Sequence, residues 1–177
     1  VTETPVLPAK DFRAVWVATV LNLDWPKNKN DEASQKALFT QYLNKLQELK
    51  MNAMFFQVRP SADVFWESQY EPWSRYITGT EGQRPSYDVL RWMIDECHNR
   101  GIAFHAWINP YRIARSGSAT VSSMIPTKLV KRYNNCIIYN PALPETRERI
   151  ANIIKELLQK YDVDGIHFDD YFYPSLS

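Results

Sequence analysis

The segment 164–174, DGIHFDDYFYP, holds the densest set of groups able to move protons. On an extended backbone side chains alternate with period two, so Gly165, His167 and Asp169 share one face and Ile166 and Phe168 the other. One face is polar and titratable, the other apolar. Asp169, beside His167, can act as nucleophile, general base or electrostatic stabiliser. Glycosidic cleavage generally takes two carboxylates, one protonated and one ionised. Asp169 and Asp170 are chain neighbours that point to opposite sides of a strand, so they do not read as that pair. Asp170 reads as a supporting group on the substrate side, and the partner acid is expected on a strand absent from this sequence. The alternative is that both aspartates cap the following turn or bind a structural cation.

Two further segments repeat the pattern. His105, Trp107 and Asn109 share a face in and just after IAFHAWI (102–108), and Gln57 and Arg59 share one in AMFFQVR (53–59). His105 and His167 read either as groups that orient Asp169 or bind a substrate hydroxyl, or as buried imidazoles satisfied by backbone. With Asp169 they could ligate zinc or another transition metal. No H-x-H or C-x-x-C spacing supports a metal, and neither a metal nor a cofactor is expected. Arg59 either clamps an anionic substrate group or neutralises the acids of the site, or it pairs structurally with nearby Asp63. Asn109, Tyr111 and Arg112 form a set suited to reading hydroxyls. Trp25, Trp66, Trp73, Trp107, Tyr111 and Tyr171 could stack on the C–H faces of pyranose rings, while Trp16 and Trp92 are assigned to the core.

These residues need elements to hold them. Residues 12–20, FRAVWVATV, read as a buried strand, and 34–50 as a helix with Leu38, Tyr42, Leu46 and Leu49 on one stripe. A second strand covers 53–58. The long segment 59–85 carries Phe65, Trp66, Tyr70, Trp73 and Tyr76, which form either a functional loop or a satellite core. Ser86 is the expected N-cap of a helix with Leu90, Met93, Ile94 and Cys97 inward and Gly101 at its C-terminal end. A third strand covers 102–108. A long connection, 109–135, follows, with a mobile tip expected at RSGSATVSS. Pro144 opens the last helix, whose buried face carries Ile150, Ile153, Ile154, Leu157, Leu158 and Tyr161. The fourth strand is the opening segment.

Strand and helix alternate, which implies parallel strands. The first strand-to-helix loop lacks G-x-G-x-x-G, so a dinucleotide site is not expected. Polar residues crowd one face at the C-terminal ends of three strands, as at a barrel mouth; in a doubly wound sheet helices would cover that face. A complete barrel takes about 250 residues, and this chain has 177. The fold class is therefore α/β, a parallel (βα)8 TIM barrel of which only the N-terminal half, about four βα units, is present. Residues 1–177 read as one partial domain with 1–11 as an extended lead-in. Open edges and an uncovered interior predict a chain that is marginal alone, forms a homodimer through those edges, or belongs to something longer.

The net charge of +1, without a Lys/Arg run, argues against a nucleic-acid partner. No apolar stretch approaches the ~18 residues of a membrane span. No signal peptide is visible, and a start at Val1 reads as a trimmed chain. Cys97 and Cys136 read as two free thiols.

Six motifs carry a resemblance: RAVWVATV with NLDWP (13–26), FQVRP (56–60), YEPWS (70–74), FHAWINPYR (104–112) and VDGIHFDDYFYP (163–174). Together, in this order, the chain resembles the bacterial glycosyl-hydrolase-like family ten from about Phe12 to Pro174. The resemblance implies a (βα)8-barrel hydrolase domain of secreted or lipid-anchored bacterial proteins, in the periplasm or cell envelope. It implies a polysaccharide substrate, with peptidoglycan glycan strands stripped of peptide as the best-known case. The Asp-Gly-Ile-His-Phe-Asp segment also looks like the strand-four motif of the alpha-amylase superfamily, whose last Asp is the nucleophile; that maps onto Asp169, with His167 standing where the motif has an arginine. The leading expectation is a glycoside hydrolase with Asp169, His167 and His105 catalytic and Arg59, Trp73, Trp107, Asn109, Tyr111, Asp170 and Tyr171 binding substrate. The alternatives are a metal-dependent polysaccharide deacetylase-like hydrolase and a non-catalytic glycan-binding module.

Overall fold

Parallel pairing sets the architecture of this computed structural model, which describes residues 11–169. Strands β1 (Ala14–Val17), β2 (Ala53–Arg59), β3 (Ala103–Ile108) and β7 (Gly165–Phe168) lie side by side in that order, every pair parallel. The crossovers are helices α1 (Glu32–Glu48), α3 (Val89–His98) and α4 (Pro144–Lys160), with a short α2 (Arg75–Thr78) in the second connection. The sheet curls strongly enough that Trp16, on one edge strand, hydrogen-bonds His167, on the other. The result is part of a parallel barrel.

Alternation sorts the side chains as period two demands. Val17, Met54, Phe56, Val58, Phe104, Ala106 and Ile108 are buried on the convex face. There they pack with Phe39, Leu43 and Leu46 of α1, Leu90, Met93, Ile94 and Cys97 of α3, and Ile153 and Leu157 of α4. β3 shows it most clearly, alternating half-buried and buried residues along its length. Burial pushes the Cys97 thiol up to about 12, so it behaves as a small apolar side chain.

Several local expectations are corrected. β1 is shorter than expected because Ala18 and Thr19 leave the ladder to hold the following loop. α1 starts two residues earlier than 34, capped by Asp31, whose Oδ1 accepts the Ser34 amide at 3.0 Å. α3 is capped by Asp88, whose Oδ1 accepts the Arg91 amide at 3.0 Å, and Ser86 instead donates to Glu32 across to α1 at 2.8 Å. Residues 112–139 hold a small antiparallel sheet: β4 (Arg112–Ala114) and β5 (Val130–Arg132) flank β6 (Ile137–Tyr139). The expected tip at 115–123 is tied back, since Arg132 donates to the carbonyls of Gly117 at 3.1 Å and Ala119 at 3.0 Å.

Candidate functional site on the concave face

Register aligns the concave face in layers. Trp16, Phe55, His105 and Gly165 are level across the four strands, and Gln57, Trp107 and His167 form the next layer toward the C-terminal ends. Asp169 follows β7, one alternation beyond His167, and is half-buried. Among the described strand residues and Asp169, that aspartate is the one carboxylate on this face.

His167 sits at the centre of an aromatic cage. Its ring centroid lies 4.5 Å from Phe55, 5.9 Å from Trp16 and 6.2 Å from Trp107. Trp16 Nε1 donates to His167 Nε2 at 3.0 Å. Trp16 is 55% exposed, which corrects its assignment to the core. Its neighbours in β1 are all apolar, so no polar residue in that strand marks the concave face; the signal lay in pairing register, which aligns Trp16 with Phe55 and His105.

His105 lies one layer deeper, packed by Phe12 at 5.6 Å and Phe55 at 5.0 Å between centroids. A Cβ on Gly165 would come 2.3 Å from His105 Nδ1, so the glycine is what lets the ring lie against β7. Asp169 lies four positions after Gly165, about 13 Å along an extended chain. His167 therefore occupies the layer next to Asp169, and His105 lies one layer deeper, as the floor of the cleft. Among the described residues no group of three or more His, Cys, Asp or Glu side chains could hold a metal ion. The deacetylase-like alternative needs such a ligand set in His105, His167 and Asp169, and the register pulls it apart.

Asn109 is 2% exposed; its Nδ2 donates to the Pro60 carbonyl at 3.1 Å, while its Oδ1 finds no partner among the described residues. Trp107 Nε1 is likewise buried without an acceptor. β3 thus presents an unsatisfied donor and an unsatisfied acceptor two residues apart on the face that carries Asp169. Unmet buried groups of this kind demand a partner.

Arg59 and Gln57 serve the protein itself. Arg59 is fully buried, and its Nε and Nη2 each donate to Glu71 at 2.6 Å. Its Nη1 donates to the carbonyls of Asn109 and Pro110. The pair expected with Asp63 forms with Glu71 instead, and the pairing of β2 with β3 shifts register between Gln57 and Arg59. Burial opposes the Arg59 charge, but the Glu71 carboxylate outweighs it and holds the guanidinium above its ordinary value. Tyr139 donates to Glu71 at 2.9 Å, fastening β6 to the same knot. Gln57 Oε1 accepts the amides of Thr19 at 3.0 Å and Val20 at 2.9 Å, shaping the loop after β1.

The other aromatics divide. Trp25 and Trp66 are fully buried, with Nε1 bonded to the Gln35 carbonyl at 3.0 Å and to Glu156 at 2.9 Å respectively. They are core residues, not stacking platforms, and with Phe65 they join the main core under the convex face instead of forming a satellite core. Trp73 and Tyr111, in the segments that follow β2 and β3, are half-buried and pack against the core. Asp170 and Tyr171 lie outside the described residues.

Fold and site together define a class: a parallel βα barrel, here in part, with its polar face at the strand C-terminal ends. The chain belongs to the family described as Glycosyl hydrolase-like 10, whose model matches residues 11–177. It is 43% identical to "Glycosyl hydrolase YngK" of Bacillus subtilis (strain 168), over 93% of this chain and 34% of that protein. It is 36% identical to "Glycosyl hydrolase DigH" of Escherichia coli (strain K12), over 93% of this chain and 43% of that protein. The chain thus spans well under half the length of these relatives. Among solved structures it resembles a maltogenic alpha-amylase, AmyB of Thermotoga neapolitana, with a TM-score of 0.52 at 13% identity, covering 92% of this chain and 40% of that one. That likeness is one of fold.

Proposed function

We propose that this chain supplies the N-terminal wall of a glycoside hydrolase cleft, with Asp169 as a catalytic carboxylate. The observation that carries the reading is the position of Asp169: it stands just past the C-terminal end of β7, beside His167, on the concave face of a chain in a glycosyl-hydrolase-like family. Active sites of parallel barrels form at that end, from residues contributed by several strands. His167 positions Asp169. Trp107 Nε1 donates to, and Asn109 Oδ1 accepts from, hydroxyls of the bound sugar, while Trp73 and Tyr111 offer ring faces to it. Asp170 and Tyr171 are proposed as further substrate-binding residues.

The substrate proposed is a bacterial polysaccharide, peptidoglycan glycan strands stripped of peptide, reached by a secreted or lipid-anchored protein in the cell envelope. Hydrolysis needs a second carboxylate facing Asp169, and the proposal assigns it to a strand beyond these four. In the full-length protein, Asp169→Asn should lower glycan-strand turnover roughly 10²–10⁴-fold, the range for removing a positioned acid or base. Parent-rate cleavage by that variant would refute the role, and glycan binding with no cleavage by the parent would favour a binding module.

A further inference from the structure

The indole of Trp16 meets the imidazole of His167 across the whole width of the sheet, from one edge strand to the other. The bond has a fixed direction. Indole Nε1–H only donates, so the nitrogen it meets must be unprotonated. His167 Nε2 is that nitrogen, at 3.0 Å. The ring's proton then resides on Nδ1, and Nδ1–H is the one hydrogen bond the imidazole can donate. We propose that Trp16 is a positioning residue that selects the Nδ1–H tautomer of His167 and aims that donor into the cleft. This rests on the proposed role of His167 beside Asp169.

Packing supports the assignment. Trp16 stacks on Phe55 with centroids 5.1 Å apart and planes at 24°, and Phe55 packs against His167 at 4.5 Å. Trp107 meets the imidazole edge-on from β3 at 72°. Apolar rings on three strands therefore fix the imidazole plane, and among their polar atoms only Trp16 Nε1 bonds to it. A histidine with one nitrogen engaged has its tautomer set by that engagement, and its other nitrogen becomes the functional one.

Histidine ¹⁵N NMR of the full-length protein tests the claim, with the His167 signals assigned by their loss in His167→Gln. The expected result is an unprotonated, imine-type Nε2 and a protonated, pyrrole-type Nδ1. Trp16→Phe keeps a ring on Phe55 but removes the donor, and both signals should then move toward the averaged values of a free imidazole. Turnover of Trp16→Phe should fall roughly tenfold in kcat with KM little changed, as for loss of an interaction used in the transition state. A protonated Nε2 in the parent protein overturns the proposal, even if Trp16→Phe does not fold. So do His167 signals left unchanged in a folded Trp16→Phe. The glycosidase reading fails separately, if Asp169→Asn retains parent turnover while the tautomer is as described.

Discussion

Asp63 shows how burial tunes a single residue here. It is 3% exposed, accepting from Ser74 Oγ at 2.6 Å and the Ser61 amide at 3.2 Å. Burial raises its carboxyl to about 6, only partly offset by the Ser74 hydrogen bond. The folded-state value lies above the unfolded one, so the folded state binds the proton more tightly. The resulting stability is fully present below about pH 4 and is lost as pH rises through about 6. The contribution is on the order of 3 kcal/mol. Asp63→Asn should flatten this dependence, read as urea-unfolding midpoints between acid and neutral pH. At the same scale, the Gly165–His105 contact explains why the opening motif needs glycine two residues before histidine. The sequence showed that Gly165, His167 and Asp169 share a face, but not that the ring resting on Gly165 comes from the next strand.

Elements were legible wherever a local rule governed them. Period-two alternation marked β2, β3 and β7, helical stripes marked α1, α3 and α4, and Pro144 marked the start of the last helix. What stayed hidden depended on partners distant in the chain. β4, β5 and β6 have three residues each, too few to show a period, and form because they pair with one another. Trp25 and Trp66 looked like platforms because their acceptors, the Gln35 carbonyl and Glu156, are invisible in their own segments. Arg59 chose Glu71, twelve residues on, over the nearer Asp63. That buried pair joins β2, the loop after it, the start of the segment after β3 and, through Tyr139, β6. Glu71→Ala leaves the buried guanidinium uncompensated. It should cost about 3–5 kcal/mol, measured as loss of unfolding free energy in denaturant.

For the whole molecule, apolar exposure falls on the concave face, on helix ends and edges of the curl, and on the loops that hold Leu21, Leu23 and Met124. Phe12 and Trp16 lie open on the concave side and Phe168 on the edge strand β7, and Leu49, the C-cap of α1, and Leu158 of α4 are exposed, which corrects their placement on the buried helix faces. A groove of about 260 Å³ runs along β1 and α1, lined by Val15, Val17, Tyr42, Leu46, Leu49 and Met51. A partial barrel leaves such surfaces, and the sequence forecast it by counting only four strands with polar groups at one end. The 177-residue chain, with one carboxylate on the described concave face, is expected to show no turnover of glycan strands by itself. Measured turnover by it alone would mean that the second acid lies within these residues. The central claim is that Asp169 performs chemistry and does not merely hold sugar. Its most direct test sets affinity beside rate for Asp169→Asn in the full-length protein, using a defined glycan oligosaccharide. The expected result is a dissociation constant close to the parent's with turnover nearly abolished. Turnover at the parent rate would contradict it.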